Sequence, residues 1–325
     1  MLDGPSPSRG VTLDVLITGA GMVAVHTARS LIEQGHRVTL FSTTPRTDYI
    51  RRVADHEVPF ISGDIRELPA VIAAVGATRP DVVVHTAARI GLAAQRSPYA
   101  GFQVNVVGSI NVAEAVRLHG VKRLLHASTL GVHDLSQPQS APLDERFPVG
   151  GGDRVYGATK VACEQLLWAY SLAYDFELGL LRLAGVYGYG LLTGGSGIGR
   201  EIMDLVTAAR DDRVGRLGVG MPDRYELVHV KDVAAGISRA VVAPTLQNHI
   251  YNIGSGVIVT RDDLVSAMRQ SVPSFRYEEG GERRDDRHPR LQPMDLRRSR
   301  ADLGYQPTLD LAAGLADLLA EVSRP

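Results

Sequence analysis

The stretch Leu13-Asp14-Val15-Leu16-Ile17-Thr18-Gly19-Ala20-Gly21-Met22-Val23-Ala24 decides the fold. Its first six residues read as a strand. The chain then turns through G-x-G-x-x-A and enters an amphipathic helix, Met22 to Gln34, stopped by Gly35. Gly19 permits the tight turn, Gly21 lets backbone approach a pyrophosphate, and Ala24 is small enough for close helix–strand packing. The start of such a helix offers unpaired N–H groups and a positive dipole end to phosphates. Two glycines in a turn need no ligand, so the weight lies in their place between strand and helix. Gly19, Gly21, Met22 and Val23 are therefore candidate dinucleotide contacts.

Outward from this unit the pattern repeats. Strands are expected at Arg37 to Phe41, Val58 to Ile61, Asp81 to Thr86 and Arg123 to Ala127, with helical patterns between them. These runs are apolar on both faces, as in a parallel sheet covered on both sides. The expected class is α/β, a doubly wound parallel Rossmann sheet. A long helix pattern follows from Val155 to Tyr174, then strands near Gly179 to Leu183, Glu226 to Val230 and Ile250 to Ile253. Gly188 to Gly199 reads as a glycine-rich loop, and Glu278 to Arg290 as a polar solvated one. Three segments result: a disordered lead-in over 1–11, a dinucleotide domain over 12–183, and a substrate-binding lobe over 184–325 interleaved with the last sheet strands and helices.

Composition narrows the class. Of 325 residues, 44% are hydrophobic and 22% charged, the balance of a globular protein, and the net charge of −1 offers no general attraction for nucleic acid or anionic membrane. One cysteine, Cys163, excludes an internal disulfide framework, and the histidines lack metal-ligand spacing, so no metal is expected. No apolar run is long enough to cross a membrane, and the opening MLDGPSPSRG lacks the apolar core of a signal peptide. A cytoplasmic protein acting on a small molecule is the expectation.

After the second strand stand Ser42-Thr43-Thr44-Pro45-Arg46. A site for NAD usually places a carboxylate here to bond the ribose 2′-hydroxyl. Ser42 in that place, with Arg46 close by, favours NADP over NAD; the other reading of Arg46 is an ordinary loop cation.

Tyr156-Gly157-Ala158-Thr159-Lys160 is Y-x-x-x-K on the long helix, and residues four apart share a helix face. An ammonium beside a phenol lowers its pKa. Such a tyrosine can take or give a carbinol proton while hydride moves at carbon. With eleven tyrosines but only three lysines (Lys122, Lys160, Lys231), about 0.1 such pairs are expected by chance. Upstream, the strand Arg123 to Ala127 runs into Ser128-Thr129, at the sheet edge where ligands bind. A hydroxyl there can fix the reacting oxygen against Tyr156.

Together these pieces resemble an extended short-chain dehydrogenase/reductase of the NAD-dependent epimerase/dehydratase family, whose members commonly act on nucleotide sugars. The similarity is carried by the loop at 18–24, Gly63-Asp64-Ile65-Arg66, His85-Thr86-Ala87-Ala88, Asn105 to Asn111, Ala127-Ser128-Thr129, Tyr156 with Lys160, Leu181-Arg182-Leu183, Val186-Tyr187-Gly188, His229 to Ala234 and Tyr251 to Gly256. It implies roles. Asp64 and Ile65 would flank adenine. Thr86, Ala87, Ala88 and Leu183 would line the dinucleotide. Lys160 would hold ribose hydroxyls as well as tune Tyr156. Thr129 stands at the family's catalytic Ser/Thr, with Ser128 as fallback, and Asn105, counted with the cofactor site, would be structural or help a water near the lysine. Candidate substrate contacts are Arg89, Gly185, Arg200, Arg224, His229 and Arg287. Trp168 and Tyr170 lie on a helix that in this family packs against a second subunit, which implies a homodimer.

The departures fall mostly on the substrate side. The phosphate turn is one residue short of the family's usual G-x-x-G-x-x-G. Gly185 replaces a usual Asn. Leu130 and Gly131 stand where the dehydratases carry their acidic pair, against dehydration chemistry. Val132-His133 replaces Val-Tyr, and Arg224 is one place from the usual phosphate-binding Arg. A 4-epimerase and a 4-ketoreductase both remain open; the alternative class is a non-catalytic NAD(P)-binding regulator on the same fold.

Overall fold

The computed structural model describes residues 11–152, 154–190, 197–218, 223–280 and 291–324. The strands are β1 (Asp14–Thr18), β2 (Arg37–Ser42), β3 (Phe60–Ser62), β4 (Val82–His85), β5 (Arg123–Thr129), β6 (Glu177–Leu183), β7 (Gly185–Tyr187), β8 (Gly215–Leu217), β9 (Arg224–His229), β10 (Ile250–Ile253), β11 (Ile258–Thr260) and β12 (Tyr277–Glu279). The helices are α1 (Met22–Glu33), α2 (Thr47–Ala54), α3 (Leu68–Thr78), α4 (Gly91–Arg96), α5 (Pro98–Phe102), α6 (Gly108–His119), α7 (Val155–Tyr174), α8 (Gly197–Arg210), α9 (Val230–Val242), α10 (Arg261–Ser271), α11 (Arg297–Leu303) and α12 (Leu311–Ser323).

Seven strands form one sheet in the order β10-β6-β5-β4-β1-β2-β3, and every pairing in it is parallel. Alternate residues of each strand face opposite sides. Val15, Ile17, Leu40, Val84 and Leu125 pack under α1, α2 and α9, whereas Leu16, Phe41, Val83 and Leu124 pack under α3, α6 and α7. This two-sided burial is why the strands carry no polar alternation. The order reverses direction at β1 and β4, and the crevice beyond their carboxyl ends is where ligands bind in such sheets.

A second core joins Ile198, Ile202, Leu205 and Val206 of α8 with Leu264 and Met268 of α10 and Leu315 and Leu318 of α12. Two small sheets, β11-β9-β7 and β12-β8, lie in this half of the chain. The chain returns to the main sheet twice: α9 packs against α1, and β10 pairs with β6 at Ile250↔Leu180.

Element boundaries fall within about two residues of those read from the sequence, with one clear correction. Helix α8 begins at Gly197, inside the stretch expected to be loop up to Gly199. Ile198, Ile202, Leu205, Val206 and Ala209 repeat at helical spacing and are buried, and that apolar stripe outweighs the two glycines of the first turn. The lead-in 1–10 and residues 281–290 of the polar loop lie outside the described residues. No helix among the described residues is long and apolar enough to cross a membrane.

Candidate active site

A cleft of about 1230 Å³ runs along the carboxyl ends of β1, β2, β4, β5 and β6 and continues between the sheet and α8. Its inner end is a phosphate cradle. Gly19 takes φ +100°, a conformation that favours glycine, and a β-carbon there would lie 2.8 Å from Thr86 Oγ1 and 3.1 Å from the Ala87 nitrogen. Gly21 is the N-cap of α1 with no side-chain cap, and a β-carbon on it would meet nothing within 4 Å. The first N–H groups of α1 thus lack a capping side chain beside an open space, the form of an anion site at a helix N-terminus. The cradle fits a dinucleotide pyrophosphate.

Met22, Val23, Ser42, Arg46, Asp64, Ile65, Thr86, Ala87, Ala88 and Leu183 line the same cleft. No carboxylate stands at the end of β2. Asp64 is held by Arg66, whose guanidinium approaches to 2.5 Å and whose backbone N–H donates at 2.9 Å; that partner keeps the carboxyl below its usual pKa.

Tyr156 lies in the first turn of α7 and lines the cleft with Thr129, at the end of β5, whose hydroxyl acts to lower the phenol's pKa. Thr129 Oγ1 also accepts from the Gly131 N–H at 3.2 Å, which caps the short turn Leu130–Val132. Burial pushes the phenol pKa up, with Tyr225 adding to the rise, while Thr129 opposes it. Lys160 is not among the groups that shift the phenol in this arrangement. The Lys160 ammonium is turned to β5, donating to the Ala127 carbonyl at 2.6 Å and standing 3.2 Å from His126 Nε2. Burial lowers its own pKa.

The two neighbouring hydroxyls are not equivalent. Ser128 Oγ donates to Glu164 Oε1 at 2.5 Å, and Glu164 is held bidentate by Arg182 in a pair only 2% exposed. With Ser128 engaged in that buried network, Thr129 is the hydroxyl next to the phenol.

Arg89, Gly185, Arg200 and Arg224 also line the cleft, joined by Arg154, Arg213, Arg216 and Tyr225. These last four carried no motif. They come from α7's N-terminal flank, the α8–β8 region and β9, which meet in one cleft that linear spacing does not reveal. Burial raises the Tyr225 phenol pKa, and Arg154 acts against that rise.

Two assigned residues stand elsewhere. Asn105 is buried behind the cleft and does not line it. Its Oδ1 accepts from the Arg89 backbone at 2.7 Å, and its Nδ2 donates to the Arg89 carbonyl at 3.0 Å and Thr159 Oγ1 at 2.9 Å. Its amide is fully engaged in holding the Arg89 backbone. His229 does not line the cleft either and is 1% exposed. It caps α9 through a 3.3 Å contact from the Lys231 N–H, lies edge-on to Tyr187, and stands 3.4 Å from Asp317 of α12. Arg287 lies outside the described residues. Among the described residues no group of three His, Cys, Asp or Glu could hold a metal ion.

A parallel sheet with a phosphate cradle at its switch point, and a tyrosine, lysine and threonine beside it, defines a dinucleotide-dependent oxidoreductase class. A family model for the NAD dependent epimerase/dehydratase family matches residues 15–254, and the chain belongs to that family. It is an enzyme family of the extended short-chain dehydrogenase/reductase type. The chain is 30% identical over 316 residues to a UDP-glucose 4-epimerase of Mycolicibacterium smegmatis, covering 93% of this chain and 96% of the relative. Among solved structures, it matches a Thermus thermophilus UDP-glucose 4-epimerase complex with NAD at TM-score 0.76 and 25% identity, over 94% of this chain and 98% of that one. A Thermotoga maritima UDP-glucose 4-epimerase solved with UDP-glucose shares the fold at TM-score 0.78 and 22% identity, over 95% and 98% of the two chains.

Proposed function

We propose that this protein is an epimerase of a nucleotide sugar, inverting a secondary carbinol by way of its ketone. The observation that carries the proposal is that Tyr156 and Thr129, beside the end of β5, line the same cleft as the Gly19–Gly21 cradle. The dinucleotide, when bound, supplies a hydride acceptor and donor. Thr129 holds the reacting oxygen; Tyr156 takes its proton on oxidation and returns it on reduction. Lys160 holds ribose hydroxyls and favours the phenolate when the cofactor is in place. Arg89, Arg200 and Arg224, with Arg154, bring guanidinium groups suited to a substrate diphosphate to the cleft, where Glu201 and Asp204 also stand and Arg213 and Arg216 are paired with Asp211 and Glu278. Gly185 leaves room for the Tyr225 ring in the cleft wall.

NAD is the cofactor of the family. Ser42 and Arg46 in the cleft, with no carboxylate at the end of β2, support the use of NADP as well. The relatives' names support an epimerase over a one-way ketoreductase and give no support to a non-catalytic regulator. We further propose a cytoplasmic homodimer. The single cysteine is buried and free, and Tyr99 (76% exposed), Phe102, Leu118, Leu166 and Leu172 (69% exposed) present apolar side chains from α5, α6 and α7. Trp168, on the same helix, stacks on His249 within the chain at 3.6 Å and remains partly exposed.

The test is to denature freshly purified protein and identify released nucleotide by mass spectrometry, then to assay UDP-glucose and UDP-galactose interconversion. Near-stoichiometric NAD with interconversion supports an epimerase that recycles its cofactor. Empty protein that prefers NADPH and only reduces ketones overturns it.

A further inference from the structure

His126 is an odd residue for its place. It sits in β5 with leucines before it, in the central sheet, and is 0% exposed. Its ring lies 5.1 Å from that of His85, whose two nitrogens are matched by Thr18 Oγ1 at 2.6 Å and Ser109 Oγ at 2.9 Å. His126 is matched on one side only. Its Nε2 stands 3.2 Å from the Lys160 ammonium, and its Nδ1 has no hydrogen-bond partner among the described residues. A phenylalanine would fill this core position without leaving a polar atom unmatched.

The contact with Lys160 explains the imidazole. A lysine ammonium has three N–H donors and no acceptor. Nε2 must therefore be the lone-pair nitrogen, with the ring neutral and its proton on Nδ1. One donor goes to His126 and a second to the Ala127 carbonyl at 2.6 Å, both on β5. Tetrahedral geometry turns the third away from the strand, and Lys160 lines the cleft beside Tyr156. Lys160 and His85 are the charged and titratable groups facing His126; Cys163 and Glu164 of α7 face Lys160 in turn. Full burial, with Lys160 and His85 beside it, disfavours the charged imidazolium, which keeps the acceptor available.

We propose that His126 is a positioning residue for Lys160: its neutral Nε2, with the Ala127 carbonyl, anchors the ammonium so that one N–H is left aimed into the cleft. Lys160's role toward a bound cofactor rests on the function proposed above. The anchoring is a property of the chain itself.

The test compares His126→Phe with His126→Gln, whose side-chain oxygen can replace Nε2 as acceptor. Calorimetry with NAD alone needs no substrate. The expected result is a Kd about tenfold weaker for His126→Phe, and within about threefold of wild type for His126→Gln. In turnover of UDP-galactose, the acid limb of the kcat/KM profile moves to higher pH in the Phe variant and returns in the Gln variant. A packing role alone would lower the melting temperature of both without separating them. Unchanged NAD affinity and pH profile in His126→Phe would overturn the proposal, as would equal loss in both variants. If neither variant folds, the 15N shifts of the wild-type imidazole decide: a proton on Nδ1 from pH 6 to 8 supports the anchor, and a proton on Nε2 rejects it. A wild type that binds NAD but turns over no nucleotide sugar overturns the epimerase reading alone.

Discussion

The ring of Tyr225 occupies the place a side chain at position 185 would take: a β-carbon built on Gly185 falls 2.4 Å from Tyr225 Cε1 and 2.9 Å from the Glu226 carbonyl oxygen. Strand β9 brings this ring against β7, where it lines the cleft and feels the Tyr156 phenol. The wall of the proposed substrate end is thus made by two residues forty positions apart. Gly185→Ala must displace the ring, and the backbone contact leaves little room to relax. We expect a rise of about fivefold or more in KM for the sugar nucleotide, with NAD affinity within about twofold of wild type. Calorimetry with each ligand separates the two, and equal losses would remove Gly185 from the substrate end.

Tyr156→Phe removes the proton carrier and keeps the ring. The expected loss in kcat is about 100-fold or more with NAD still bound, measured in single-turnover and steady-state assays. Turnover close to wild type would show that another group moves the proton.

Thr129→Val and Ser128→Ala should part company. Thr129→Val deletes the hydroxyl that acts on the phenol and should lower kcat by about tenfold or more with a small change in melting temperature. Ser128→Ala removes a donor from the buried Glu164–Arg182 pair and should cost about 1–3 kcal/mol of stability, with activity largely kept once folded. The reverse pattern would exchange the two assignments.

Fold and site differ in how legible they were in sequence. The parallel sheet could be read because burial on both faces leaves unbroken apolar runs such as Val82 to Val84, and the glycine turn and Tyr156/Lys160 pair are local in the chain. The long helix pattern, from about Val155 to Tyr174, coincides with α7. What could not be read is what only folding brings together: the Tyr225 ring on Gly185, Arg213 and Arg216 at the cleft, and the preference of Lys160 for β5. His229, a candidate contact by sequence, does not line the cleft for a related reason. A polar residue after a strand looks like a site, but here it serves as the cap of α9 and packs against α12.

Arg46→Ala tests cofactor choice. If Arg46 meets a 2′-phosphate, the Kd for NADP rises about tenfold or more while that for NAD changes little. Parallel titrations of both nucleotides read the ratio directly; an unchanged ratio removes that role.

Stability should fall in mild acid. His26 and His229 are held near pKa 4, and His85 and His133 near 3, each chiefly by burial of the neutral ring. The unfolded chain takes up protons near 6.5, above these folded values, so it binds more protons between them and stability drops as pH falls from about 6.5 toward 4. Glu226 works the other way. Burial raises it to about 7 despite N–H donors from Met294, Gly256 and Ser255, so its contribution is greatest at low pH and is lost as pH rises toward 7. Four histidines outweigh one carboxyl in this window. The melting temperature should decline from pH 7 to pH 5, and His26→Asn should flatten that decline; a flat or rising profile would reject the assignment.

The pairing of β10 with β6 also bears on how the chain is made. The edge of the main sheet at Leu180–Leu183 waits for Ile250–Ile253, some seventy residues later, and α1 waits for α9 from more than two hundred residues away. During synthesis the first half emerges with one strand edge and one helix face bare, surfaces that invite association with other chains. Contacts of such long sequence separation form slowly, because loop closure comes before the reward. A fragment cut at residue 183 keeps the nucleotide cradle but loses its sheet partner, so half the molecule is expected to aggregate where the whole one folds.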